Sequence, residues 1–362
     1  MRKLKPPAHG KSVWHVTRLL RSDCSGPGIS RRGRGRGFEY RDDEGRPITD
    51  PEDLERIRAL GIPPAWRDVW ICPSPRGHLQ ATGTDAAGRK QYLYHDQWRA
   101  RRDREKFDRM LAFAGRLPRL RRSTMALLEG DDLSQERVLA GAVRLLDLGF
   151  FRIGSESYAE ENETFGLATM LKSHVRLGAD CALVFDYAAK GGQRRIQSVV
   201  DPAVFGLVEA LKRRRNGREL LAYRTAAGWS DVSSTDINDF IRLQAGGPFT
   251  AKDFRTWNAT VLAAVALGVA RGAAKTKTGR QRAKTLAVNE VARYLGNTPT
   301  VCRSSYIDPR IFDRFDAGMT IGPLVERLGG AARRFAEAHS WDRSADETEA
   351  HLQAIIRASS EQ

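Results

Sequence analysis

The sequence predicts an α+β protein. It divides into a small β-rich amino-terminal domain at about residues 1–97, a larger and mainly α-helical domain at 98–340, and a polar tail at 341–362. Three observations carry this reading. As far as Tyr94, short runs of β-branched and aromatic residues are punctuated by Gly and Pro, the chemistry of antiparallel strands and tight turns. From about Trp98 onward, apolar residues recur at helical spacing instead. A single hairpin, centred on Gly191-Gly192, interrupts those helices.

Each element follows from its own residues. Phe38-Glu39-Tyr40 runs into the turn Asp43-Glu44-Gly45, and Val69-Trp70-Ile71-Cys72 stops at Pro73. His78 to Thr82 ends before a Gly-containing turn, and Gln91-Tyr92-Leu93-Tyr94 follows another. Between them, Pro51 to Leu60 suits a short helix. Gln135 to Leu148 sets Val138, Leu139, Ala142, Val143, Leu145 and Leu146 on one broad stripe, as a core-facing helix requires. Ala182 to Tyr187 and Ile196 to Val200 form the hairpin arms. The longest apolar run, Val261 to Ala270, falls well short of the ~20 residues that span a bilayer and reads as a core helix. Thr285 to Leu295 is helical in spacing, with Gly296 as its C-terminal cap. Thr298 and Pro299 then supply the N-cap and first position of another short helix. There is no internal repeat.

A formal net charge of +16 and a pI near 10.1 suit a polyanionic partner, because neutralising phosphates releases condensed counterions. Composition alone does not separate DNA, RNA and acidic membrane. Cys24, Cys72, Cys181 and Cys302 are scattered, suggest neither a zinc site nor a disulfide framework, and fit a reducing cytoplasm. Met1 to Gly10 has charge and prolines but no apolar core, so no secretory signal is expected. The basic run Arg31-Arg32-Gly33-Arg34-Gly35-Arg36-Gly37 is either a loop touching phosphates or a solvated one.

Cleaving a phosphodiester with a protein hydroxyl requires a nucleophile, cations on the non-bridging oxygens and an acid for the leaving 5′-oxygen. Five positions are candidates. Arg152, in Phe151-Arg152-Ile153-Gly154, sits at a helix-to-loop junction where its fork suits a phosphate, although a lone arginine there is usually a surface residue. Lys190 lies in the Gly-rich hairpin turn, where an ammonium is either simply solvated or reaches into a groove. Arg255, in Lys252-Asp253-Phe254-Arg255-Thr256, is expected in a helix's first turn, against the macrodipole, where it needs an anion or a buried ion pair. Asn297 occupies the corner between two helices, as a turn-former or as an amide donor to phosphate. Tyr306 ends the second of those helices and needs positive surroundings to act as a nucleophile near neutral pH.

Taken in order, these pieces resemble the type IB DNA topoisomerases, in particular the compact branch of poxviruses and bacteria. The matching segments are Gly88-Arg89-Lys90-Gln91-Tyr92-Leu93-Tyr94-His95, Phe151 to Gly154, Lys190, Lys252 to Thr256, and Gly296-Asn297-Thr298-Pro299 through Tyr306. The resemblance covers about residues 13–335. It implies that Tyr306 is the nucleophile of a 3′-phosphotyrosyl bond, that Arg152 and Arg255 stabilise the transition state, and that Lys190 is the general acid. Asn297 stands where relatives carry His or Asn, and as an amide it donates a hydrogen bond but carries no proton. Arg89, Gln91, Tyr92 and Tyr94 fall in the segment that touches DNA in relatives. The implied partner is double-stranded DNA, held by a monomeric clamp in the nucleoid.

No cofactor, metal or nucleotide is expected. The sequence has no G-x-x-x-x-G-K-[ST] loop and no acidic D-x-D cluster of the magnesium-dependent classes. Nine positions separate Asn297 from Tyr306, too few for the long linker of the larger eukaryotic branch. Two rivals share some features. Tyrosine recombinases use a similar residue set but usually write H-x-x-R where this chain has Lys252-x-x-Arg255, on a helical amino-terminal domain. A non-catalytic nucleoid protein would need only the charge. The basic stretch Lys275 to Lys284 is expected as a mobile loop that orders on DNA.

Overall fold

A computed structural model describes residues 18–323 apart from 36, 155–162, 216 and 271–274. The expected lack of a leader at Met1 to Gly10 and the polar tail at 341–362 concern residues outside that set. The chain divides into two compact units, Met1–Lys106 and Phe107–Gln362, each with its own core.

In the first unit, β1 (Ile29–Arg34), β2 (Gly37–Arg41), β3 (Arg67–Ile71), β4 (Leu79–Thr84) and β5 (Lys90–Tyr94) form one antiparallel sheet in the order β2-β1-β3-β4-β5. Helix α1 (Pro51–Ala59) begins where the Asp50 side chain accepts from the Glu52 N–H and Pro51 takes the first position. It seals a small core of Ile29, Ile57, Val69, Ile71 and Ala81. The Arg-Gly run corrects its sequence reading: much of it is β1, an inner strand rather than a loop. Arg31 is structural, donating to the carbonyls of Ile62, Pro63 and Trp66 and lying over the Phe38 ring at 4.2 Å.

The second unit is built around α3 (Gln135–Gly149), capped by Ser134 and buried on nearly every side. Helix α2 (Asp96–Leu128) lays Phe107, Met110, Phe113, Leu117, Leu120 and Leu128 along one stripe, the i, i+3, i+4 pattern of a core-facing helix. Around α3 gather the sheet β6 (Val175–Leu177), β7 (Ala182–Ala189) and β8 (Gln193–Val200), the helix α4 (Pro202–Arg213) and the ribbon β9 (Ala222–Thr225) and β10 (Gly228–Asp231). Helix α5 (Ser234–Ala245) closes this core. A second cluster joins α6 (Ala251–Val269), α7 (Lys277–Leu295), α8 (Pro299–Ser305) and α9 (Arg310–Asp316). The α+β architecture is therefore as expected, including the hairpin and the caps at Gly296 and Thr298.

Two local readings change. Lys277 to Lys284 forms the first turns of α7 rather than a loop, because Thr276 accepts from the Gly279 N–H and starts the helix. Helix α6 starts at Ala251, with the Asp253 carboxylate accepting from the Thr250 N–H and hydroxyl. Arg255 thus lies beyond the first turn, and its position is not explained by a conflict with the dipole there. No helix among the described residues is long and apolar enough to cross a membrane.

Candidate active site

The site is organised by the C-terminal end of α7. A helix leaves its last carbonyls without intrahelical donors, and the aligned peptide dipoles make that end electronegative. Gly296 stops the helix at φ +61°, a conformation that disfavours a side chain. Three guanidiniums then take up successive carbonyls. Arg195 of β8 donates to Arg293 O at 2.9 Å and to Tyr294 O, Arg255 of α6 to Leu295 O at 2.9 Å, and Arg152 to Gly296 O at 3.1 Å. Arg255 also donates to Phe150 O, at the end of α3. Phe150 holds φ +53°, a left-handed conformation costing a non-glycine residue ~1–2 kcal/mol.

Arg255 is only 5% exposed, and its guanidinium donates to carbonyls rather than to a carboxylate; two helix ends supply the compensating negative potential. Burial, then repulsion from Arg152, press its pKa down to about 10, which leaves it cationic at neutral pH. Its Nε has no hydrogen-bond partner, and neither does the buried Nδ2 of Asn297. The Asn297 Oδ1 accepts from Arg152, so the amide is oriented with its donor side uncommitted apart from a weak influence on the buried Cys302 thiol.

Tyr306 follows α8 directly, and the Arg255 guanidinium carbon lies 5.4 Å from its ring centre. Burial alone would push the phenol up. Attraction from Arg255 and Arg152, a hydrogen bond with Arg255 and the charge of Lys252 outweigh it, so the pKa falls below the ordinary value of 10. The backbone here is fixed from α6: the Thr260 hydroxyl donates to Tyr306 O at 3.3 Å and accepts from the Asp308 N–H at 3.2 Å. Arg310 grips the buried Asp308 carboxylate and reaches Asp108 on α2 at 2.8 Å. One helix therefore carries both Arg255 and the clasp that sets the Tyr306 turn.

Lys190 is the first residue of the β7–β8 turn, exposed and without an ion pair among the described residues. It lines an open cleft with Arg152, Arg194, Arg195, Arg293, Asn297 and Tyr306, and Arg255 lines an adjoining recess. Among the described residues no carboxylate lines either. The structure thus brings the five candidates from four separate stretches of chain into one cationic cleft suited to a tetrahedral oxyanion. Arg152 owes its place to a close backbone approach: an added Cβ on Gly166 would lie 2.4 Å from Gly154 Cα, and Leu167 N donates to Arg152 O beside it.

The other four candidates lie in the first unit. Arg89 is exposed and pairs with Asp85 at 2.9 Å, and the Gln91 amide donates to the same carboxylate. Tyr92 and Tyr94, 46% and 39% exposed, point the same way from β5 and stack at 6.2 Å with a 17° interplanar angle. The one described group of three clustered metal-capable side chains, Asp42, Asp43 and Glu44, is also in this unit and is ion-paired with Arg46.

Sequence reasoning missed Arg195 and Thr260. For Arg195 a signal existed: strand alternation puts it on the inward face with Gln197 and Val199, while Arg194 faces out to Asp186. For Thr260 there was none.

Comparisons with known proteins point to one family. Residues 95–316 match the family model described as eukaryotic DNA topoisomerase I, catalytic core, and residues 37–85 match that of bacterial DNA topoisomerase IB, N-terminal domain. The chain is 29% identical over 287 residues to the DNA topoisomerase 1B of Acanthamoeba polyphaga mimivirus, covering 77% of this chain and 85% of that protein. It is 28% identical over 159 residues to DNA topoisomerase 1 of Candidozyma auris, covering 44% of this chain and 20% of that protein. For DNA topoisomerase 1 of Schizosaccharomyces pombe the figures are 31% over 132 residues, 36% and 15%. The chain thus spans most of the viral relative but a fifth or less of the two fungal ones.

Proposed function

The chain belongs to the type IB DNA topoisomerase family, and from that premise we propose that it relaxes supercoiled duplex DNA by cutting one strand through Tyr306, letting the duplex turn, and resealing it. The Tyr306 oxygen attacks the phosphorus as the phenolate, forming a 3′-phosphotyrosyl bond as the bond to the 5′-oxygen breaks. Arg152, Arg255 and the uncommitted Nδ2 of Asn297 hydrogen-bond the non-bridging oxygens, whose charge grows in the transition state. Lys190 delivers a proton to the departing 5′-oxygen. Religation is the reverse: the 5′-hydroxyl returns its proton to Lys190 and displaces Tyr306. The phosphoester is conserved in the covalent intermediate, so no ATP is consumed. The cleft's own cations hold the phosphate.

One observation carries this reading. The end of α7 fixes two arginines and the Asn297 amide around a tyrosine whose pKa those arginines lower. In the first unit, Arg89, Gln91, Tyr92 and Tyr94 contact the duplex. The protein works as a monomer that clamps DNA in the nucleoid.

The test is relaxation of negatively supercoiled plasmid in EDTA without ATP, comparing the intact chain with Tyr306→Phe. Relaxation by the first alone is expected. Binding without relaxation by either would return weight to a recombinase or a purely architectural protein.

A further inference from the structure

The arm of the hairpin before Lys190 is anchored by buried Tyr187 and Ala189, and Phe165 N donates to Ala188 O at 2.8 Å. The arm after it is different. From Gln193 to Ser198 no side chain is buried, and the turn itself contains Gly191 and Gly192 at φ +78° and +72°, with open space around both. Neither the turn nor the outward face of β8 adds a side-chain anchor to the β7 ladder. The backbone ladder with β7 holds β8 as far as the Ala189–Gln193 pair, and the side-chain contact that ties this arm to the end of α7 is Arg195, three residues beyond the two glycines. Its guanidinium spans Arg293 O and Tyr294 O at the end of α7, with Gln197 Oε1 at 3.3 Å, and a Cβ on Gly296 would meet it at 2.9 Å. The same helix end holds Arg152 through Gly296 O and Arg255 through Leu295 O.

We propose that Arg195 is a positioning residue for the proton-transfer step: by riveting β8 to the carbonyls that also hold Arg152 and Arg255, it fixes the distance between Lys190 and the phosphate site. The inference rests on the reading of Lys190 as the acid. A planar fork donating to two adjacent carbonyls sets position and angle together, which a single ammonium does not. Misplacing an acid by about 1 Å costs up to ~10²-fold in rate.

The experiment measures single-turnover cleavage of a duplex with an ordinary 5′-oxygen and of one with a 5′-bridging sulfur, for the intact chain, Lys190→Ala, Arg195→Ala and Arg195→Lys. A thiolate leaves without being protonated, its conjugate acid having a pKa of roughly 8.5. Arg195→Ala is expected to lose about 10- to 100-fold on oxygen and to recover to within a few fold of the intact chain on sulfur, as Lys190→Ala does. Arg195→Lys, which preserves charge and serves if the alanine variant does not fold, should show the same pattern with a smaller defect. Rescue of Lys190→Ala without rescue of either Arg195 variant would overturn the proposal and place Arg195 in transition-state binding or in the fold. Full activity of Arg195→Lys on oxygen would overturn it too, since charge alone would then suffice. Failure of sulfur to rescue Lys190→Ala would instead sink the reading of Lys190 on which the inference stands.

Discussion

At the end of α7 three guanidiniums are held by backbone carbonyls, whereas across the same cleft Lys190 rides an exposed turn of two glycines with nothing around them. Both regions supply positive charge, but they suit different tasks. Charge that stabilises a transition state is worth most when it is already in place and poorly solvated, because no reorganisation is needed as the phosphorane forms. An acid needs its strand arm placed, which Arg195 does, while its ammonium on the glycine turn keeps the side-chain freedom to follow a leaving group that moves away. The fixed cluster uses arginine, whose planar fork matches pairs of acceptors; the turn uses lysine, a point charge on a flexible stem.

The sharpest way to break this contrast is to exchange fork for point charge at the fixed end. Arg255→Ala should lose ~10²–10³ in cleavage rate. It should also lower the melting temperature, because the carbonyls of Phe150 and Leu295 lose their shared donor. Arg255→Lys should recover little of either, since one ammonium does not span two helix ends. Near-normal relaxation by Arg255→Lys would show that position matters less than charge. The fixed cluster also sets the pH response. Arg152 and Arg255 hold the Tyr306 phenol below 10, against burial that would raise it. Removing Arg152 removes part of that attraction, so the phenol pKa must rise and the phenolate fraction at neutral pH must fall. In Arg152→Ala the ascending limb of the cleavage pH–rate profile should therefore move to higher pH. A limb that stays put would mean that it reports some other group.

Glycines sharpen the comparison at a smaller scale. Gly296→Ala places a Cβ at φ +61° and within 2.9 Å of Arg195, so it strains the backbone by ~1–2 kcal/mol and displaces a rivet. Gly191→Ala meets the same kind of φ penalty at +78° but nothing within 4 Å. Single-turnover cleavage should fall about tenfold or more for the first, because displacing Arg195 shifts the groups it places, and far less for the second, whose strain costs stability rather than rate. Equal effects would erase the distinction between a fixed end and a free tip.

How much of this was legible beforehand depended on whether local chemistry or tertiary contact decided the outcome. The stop at Gly296, the restart at Thr298-Pro299 and the Gly191-Gly192 turn are written in residues whose conformational preferences act over three or four positions. The arginine cluster is not local. Residues 152, 195 and 255 meet only because β8, α6 and the segment after α3 converge on one helix terminus, and no periodicity encodes which carbonyls they take. Arg31 misled for a related reason. An Arg-Gly run has the composition of a solvated loop, but the Phe38 ring and three carbonyls around Arg31 make it a strand. Lys275 to Lys284 misled because charge density was weighed over the single N-cap at Thr276.

The smallest effect is expected at Arg89, which contrasts with the buried arginines. It is exposed and already paired with Asp85, an arrangement worth little to stability in water. If it touches a phosphate in the bound state, Arg89→Ala should weaken binding uniformly across DNA sequences and reduce the slope of log affinity against log salt by about one. Cleavage by the bound enzyme should be unchanged, because the substitution removes a counterion-releasing contact and leaves the α7 cluster intact. A drop in single-turnover cleavage at saturating DNA would show that the first unit does more than hold the duplex. An unaltered salt slope would remove Arg89 from the contact surface and leave Tyr92 and Tyr94 as its exposed aromatic core.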